Sequence, residues 1–267
     1  MSFFLGRYSS AFRPLSIPVF RGSRQILRPG LSRPYSHYSS YGSGGAAKVV
    51  WGLIGANTAV FAVYKYAEPA TRTSTGPFAT TTHYPLYRKI LNNFLISLDS
   101  VEAGKWWTIV TSTFFHMDLW HFLGNMFSMY AFGTILARHP GIRAIHVATL
   151  ALGSGVFGSF GFLLHQYRRR QPNVKTFGLG ASGAVMGMGA AAACLFPKHS
   201  VLLYGIIPVP LWLLIGGYFA FDSYYLDKPG TKVAHAGHLG GLCFGLVYYF
   251  LRLRRFGGVA SIMRRSQ

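Results

Sequence analysis

Apolar residues fall in helix-length blocks separated by short polar or Gly/Pro-containing connections, and six blocks approach the length of a bilayer crossing. A transmembrane helix needs roughly 20 mainly apolar residues, with about 17 tolerated. The candidate spans are 49–66, 119–137, 142–164, 178–196, 201–221 and 234–253. The third and fourth are the least hydrophobic because Gly and Ala fill them. The fifth contains Pro208 and Pro210 and should be kinked or broken there. No solenoid period is present. The pattern predicts an all-α polytopic membrane protein with six transmembrane helices.

The connection between the first two spans, residues 67–118, is too long for a plain loop. Within it, Ile90, Leu91, Phe94, Leu95 and Leu98 recur at helical spacing. That predicts an amphipathic helix over 87–98, packed in the membrane interface. Trp106 and Trp107 follow in the manner of interfacial anchors.

Composition agrees with a bilayer environment. Hydrophobic residues make up 51% and charged ones 12%, against roughly 25% charged in soluble domains. The formal charge of +20 comes from 26 Lys and Arg against 6 Asp and Glu. Such an excess can serve nucleic acid, but the bases here lie in the N-terminal segment and in short connections. No basic face is left for a duplex, and no nucleic-acid partner is expected. Cys194 and Cys243 lie inside apolar spans and form neither a disulfide framework nor a metal-binding spacing.

Residues 1–45 differ from the rest. They carry Arg7, Arg13, Arg21, Arg24, Arg28 and Arg33 and ten serines, whereas the first acid of the chain is Glu68. An Arg-rich, Ser-rich, acid-free leader with no apolar centre has the composition of an organelle transit peptide. Arg33-Pro34-Tyr35-Ser36 resembles a mitochondrial presequence site, with cleavage after Tyr35. The expected organisation is a transit peptide at 1–45, a six-helix domain at 46–256 and a basic tail at 257–267. Expected localisation is the mitochondrial inner membrane, multi-pass. Lys and Arg counts on the two sides of the membrane nearly balance, so the positive-inside rule leaves orientation open.

Polar residues inside membrane spans mark function. Ser182 lies in Gly180-Ala181-Ser182-Gly183 near the start of the fourth span, and His238 near the start of the sixth. Two crossings separate them, so both enter from one side at similar depth. Serine needs a base to take its proton, and histidine is the usual one. Gly241 and Gly245 share the face of His238, and twelve of the seventeen residues from 178 to 194 are Gly, Ala or Ser. Small residues on facing helices permit close approach, which would bring the serine oxygen toward the imidazole. Gly257 lies beyond the span and is expected to be neutral to substitution.

A tetrahedral intermediate also needs oxyanion donors. His121 and Asn125 sit at i and i+4 in the second span, and the Ser182 N–H adds a third. Asp222 and Asp227, at the end of the fifth span and beyond it, are expected to be solvated. A buried carboxylate in lipid needs strong compensation, so the expected catalytic unit is a Ser182–His238 dyad without a metal or cofactor. His116 and His235 lie nearby; spacing to Gly241 and Gly245 selects His238 as the base.

In order and spacing these residues resemble the rhomboid family of intramembrane serine proteases, in a mitochondrial, fungal-type form. The resemblance covers roughly 51–253 and rests on the long first loop, His121-xxx-Asn125, Gly180-Ala181-Ser182-Gly183, and His238-Leu239-Gly240-Gly241 with Gly245. It implies a six-helix core, a Ser–His dyad in a water-filled cavity, and cleavage of transmembrane protein substrates within the lipid bilayer. For mitochondrial members it also implies a dynamin-like fusion GTPase and cytochrome c peroxidase as substrates. The alternative is an inactive relative that binds or retains client membrane proteins; such relatives typically lose the Ser or the His, and both are present here. A transporter or channel would instead show paired ionisable residues inside the spans.

Three departures from the family stand out. Its Trp-Arg pair is Trp106-Trp107, and the aromatic four residues after the nucleophile is Met186. The additional span common in mitochondrial members is not found before the core.

Overall fold

The computed structural model describes residues 44–68, 84–169, 176–203, 206–228, 231 and 233–265. The expected leader, apart from its last two residues, and the cleavage site after Tyr35 lie outside the described residues, as does part of the long first loop.

The described residues are mostly helical. The first block forms α1 (Gly45–Ala67). The long loop contributes α2 (Tyr84–Phe94), α3 (Leu98–Glu102), α4 (Thr108–Thr111) and a 3₁₀ turn, Ser112–Phe114. Then follow α5 (Leu119–Ala137), α6 (Ala144–Arg168) and α7 (Ser182–Leu195). An antiparallel hairpin of β1 (Ser200–Leu203) and β2 (Ile207–Pro210) leads into α8 (Leu211–Tyr225). Finally come α9 (His235–Tyr248), a π-helical turn over Tyr249–Leu253, and α10 (Val259–Arg265).

A helix lies within each of the six predicted blocks, but three are shorter than predicted. Only α1 and α6 are long and apolar enough to cross a membrane by length and composition. The fourth block becomes helical only at Ser182 because Gly180 has φ +107°, a left-handed conformation that interrupts a right-handed helix and that glycine alone adopts without strain. The fifth breaks where the prolines predicted it: residues up to Pro210 form the hairpin, and α8 starts at Leu211. Proline cannot donate to a helical or sheet ladder, which confines it to such an edge strand.

The amphipathic segment also differs from expectation. Its helix ends at Phe94, since Ile96 leaves to form an isolated bridge with Gly178. Ser97 then opens α3 through reciprocal bonds with Ser100, a capping box. Ile90, with Leu91, Phe94 and Leu95 around it, packs against Tyr64 and Phe115.

The centre of the fold is the contact of α6, α7 and α9, and it is built on glycine. A Cβ on Gly158 of α6 would stand 2.9 Å from the Gly237 carbonyl oxygen on α9 and 3.2 Å from Gly183 Cα on α7. On the outer side of α7, Met129, Phe132 and Leu136 of α5 and Ile215 of α8 join Met188 in the apolar core. The start of the segment expected as a basic tail is tied to the π turn. The Tyr249 hydroxyl donates to the Gly257 carbonyl (2.7 Å) and accepts from the Ala260 N–H (3.0 Å), so α10 starts docked rather than free.

Candidate active site

Ser182 is the first residue of α7. Backbone N–H groups in the first helical turn have no intrahelical acceptor, so those of Ser182 and its successors are available to a ligand. The run before it is fixed from outside the helix. Ile96 and Gly178 exchange backbone bonds of 3.1 and 2.8 Å, and the Gly180 N–H donates to the Ser112 carbonyl at 2.9 Å. The Ala181 N–H donates to Nε2 of the fully buried His116 at 3.2 Å. Three anchors thus come from the long first loop. The loop's own pattern predicts only interfacial packing; its pairing partners are more than sixty residues away and leave no local signal.

His238 lies one turn into α9. Glycines pair across the α7–α9 seam beneath it. A Cβ on Gly241 would be driven into the Gly183 carbonyl, and one on Gly245 into the Gly187 carbonyl. Ser182 and His238 line one cavity of about 650 Å³ together with His121, Asn125, Met186 and Tyr218. They make no direct hydrogen bond to each other; in ligand-free enzymes such bonds are often long and tighten only with substrate bound.

His121 and Asn125 face the same cavity from α5, where Asp118 caps the helix by accepting the His121 N–H at 2.9 Å. One N–H of the Asn125 amide bonds the His121 carbonyl at 2.9 Å, which leaves its second N–H for a ligand. Gly180 backs onto the His121 ring: a Cβ there would meet Cε1 at 2.7 Å. His116 stacks edge-on to His121 with centroids 5.1 Å apart. Burial drives its pKa down to about 3, and the neighbouring His121 adds to the effect. The ring is therefore neutral, as a Nε2 acceptor must be.

Asp222 overturns its expectation of a solvated carboxylate. It is 1% exposed, whereas Asp227 is on the surface and pairs with Arg169 and His165. One Asp222 oxygen lies 2.7 Å from His235 Nδ1, and both lie 3.1 Å from His238 Nδ1. Compensation for the buried charge comes from two imidazoles on one turn of α9. Nothing local in the sequence signals this, because the carboxylate sits on α8 and no spacing rule links it to α9. Among the described residues no cluster of His, Cys, Asp or Glu could hold a metal.

A sequence model of the Rhomboid domain matches residues 103–255, from the first loop to the end of the last long helix. The chain belongs to the rhomboid family. Among named rhomboids it is 30% identical to RHOMBOID-like protein 12, mitochondrial, of Arabidopsis thaliana over 219 residues, 78% of this chain and 59% of that protein. It is 27% identical to Rhomboid protein 1, mitochondrial, of Saccharomyces cerevisiae, over 80% of this chain and 55% of the other. Identity to the human Presenilin-associated rhomboid-like protein, mitochondrial, is 28% over 147 residues, 52% of this chain and 36% of that one. The chain spans little more than half the length of the first two of these rhomboids.

Within this rhomboid, two of the three family departures fall on described residues. Trp106 and Trp107 are 65% and 48% exposed, and no ring occupies the position of Met186. One ring that does meet His238 is His235, edge-on at 6.4 Å.

Proposed function

We propose that this rhomboid is an intramembrane serine endopeptidase of the mitochondrial inner membrane, with Ser182 as nucleophile and His238 as base. The observation that carries it is the shared cavity: Ser182 and His238 line it from two helices whose glycine seam leaves no room for slack. Ser182 Oγ attacks the scissile carbonyl carbon as its proton passes to His238 Nε2. The carbonyl π pair moves to oxygen, where the Ser182 N–H, the His121 ring and the free Asn125 N–H are the candidate donors. Such donors act where charge develops and so lower the barrier selectively. Collapse expels the amine, which takes the proton from His238. Water admitted to the cavity then repeats the sequence on the acyl-enzyme and releases the carboxylate. No metal or cofactor enters these steps.

Membrane placement follows from the outward faces of the helices. Phe127, Phe160, Trp212 and Leu251 are 65%, 51%, 58% and 72% exposed, on α5, α6, α8 and the π turn. Apolar surface distributed over every outer helix suits lipid as solvent. Six crossings are proposed, one for each of α1 and α5–α9, the shorter ones spanning with the extended segments that lead into them. The Arg-rich leader and the names of the relatives support mitochondrial import. Substrates are then transmembrane segments of inner-membrane proteins, and a dynamin-like fusion GTPase and cytochrome c peroxidase are the first to assay. The test is comparative proteomics of mitochondrial N-termini from cells carrying wild type or Ser182→Ala. Serine-dependent new N-termini inside or beside transmembrane segments are expected. Identical profiles would leave a client-binding protein as the reading.

A further inference from the structure

The carboxylate of Asp222 stands where a third member of the catalytic unit would stand. It is buried on α8 and faces Nδ1 of His238, which leaves Nε2 as the ring nitrogen without a carboxylate partner. An ionised carboxylate only accepts hydrogen bonds. Its contact therefore puts the proton of neutral His238 on Nδ1 and leaves the Nε2 lone pair for the serine.

His235 supplies the other half of the arrangement. Its Nδ1 lies 2.7 Å from Asp222, while its Nε2 is buried with no partner. A buried polar atom without a partner is a standing cost, and an apolar side chain would fill the same space without it. Its polar contact with the protein is the one to Asp222. Tyr225 stacks on the His235 ring at 5.9 Å and Phe221 meets it edge-on at 5.8 Å, so the ring itself is clamped by α8.

We propose that Asp222 is a positioning residue for His238, making the unit Ser182–His238–Asp222, and that His235 holds the carboxylate in register as a second donor. This rests on the protease reading above. When the Ser182 proton moves to Nε2, His238 becomes an imidazolium with both nitrogens protonated. Asp222 stays ionised and stabilises that cation; the proton returns to the leaving amine, and Asp222 ends as it began. The ionisable groups facing His238 include Asp222 from α8, His235 from its own helix and His121 from α5, and Tyr218 of α8 and Asp118 line the same cavity.

The experiment measures cleavage of a transmembrane substrate by the full chain in proteoliposomes, for wild type, Ser182→Ala, Asp222→Asn and His235→Asn, each across pH. Asp222→Asn should lower kcat by roughly 10³–10⁴-fold, as loss of a tautomer-fixing carboxylate does in serine proteases, with KM nearly unchanged. The acid limb of the profile should move to lower pH, because a lost carboxylate makes the imidazolium easier to deprotonate. A purely structural role would not move that limb. His235→Asn should cost less and keep the limb where it was.

Should Asp222→Asn fold poorly, the tautomer is read on wild type. In ¹⁵N-histidine NMR, with His238→Gln for assignment, His238 should carry its neutral proton on Nδ1, and a proton on Nε2 would overturn the proposal. An inert wild type would sink the protease reading and this inference with it. An active, Ser182-dependent wild type beside a fully active Asp222→Asn with an unmoved acid limb would sink the positioning role alone.

Discussion

Gly241 of α9 lies against the Gly183 carbonyl of α7 so closely that no side chain fits between them. The contact repeats one turn on, Gly245 against Gly187. Ser182 precedes Gly183 by one residue and His238 precedes Gly241 by three. The approach of α7 to α9 beside Ser182 and His238 is thus set by backbone touching backbone.

Gly241→Leu or Gly245→Leu should therefore separate α7 from α9. A displacement of about 1 Å can cost on the order of 10²-fold in rate, and overpacking typically costs about 1–3 kcal/mol. Both variants should show lower kcat and a lower Tm, measured by cleavage assay and thermal melting. Gly257 does not serve as the neutral control: its φ is +114° and its carbonyl accepts from Tyr249. Gly55→Leu does, since a Cβ there meets nothing within 4 Å. Wild-type activity in Gly241→Leu would show that the seam does not set the geometry.

Ser182→Ala and His238→Ala should each abolish cleavage while abundance and membrane insertion stay unchanged. Residues that act as one unit are not additive, so the double variant should be no worse than either single one. Activity that survives His238→Ala but is lost in His235→Ala would identify His235 as the base.

His121→Ala and Asn125→Ala should each slow turnover by about 10²–10³-fold, the usual cost of one oxyanion donor. The Ser182 N–H remains in both variants, so residual rate should be measurable above Ser182→Ala. Unchanged rates in both would assign these side chains to packing.

His116 makes stability depend on pH with a definite sign. Its pKa falls from 6.5 to about 3 through burial, with His121 adding. The unfolded chain therefore binds a proton that the fold does not accept, and stability falls as pH drops through the window from 6.5 toward 3. The wild-type Tm should be lower at pH 5 than at pH 7. His116→Ala should flatten that dependence and lower Tm throughout, since a buried Ala181 N–H without a partner costs about 1–3 kcal/mol. An equally steep dependence in His116→Ala would place the titration elsewhere.

By itself the sequence determined the blocks in which the long helices form, the break at Pro208 and Pro210, and Ser182 and His238 as the pair to examine. These are consequences of local composition: apolar runs, proline's missing N–H and small residues beside polar ones. What only the tertiary structure decided depends on residues distant in sequence. The start of α7 at Ser182 follows from Gly180 and from anchors on Ile96, Ser112 and His116. No periodicity within residues 178–196 reports them. Asp222 changed most. Near the end of an apolar helix a lone carboxylate is expected to reach for water, because burying a charge costs more than local packing returns. Two histidines on α9 reverse that balance, and only the packing of α8 against α9 brings them within reach.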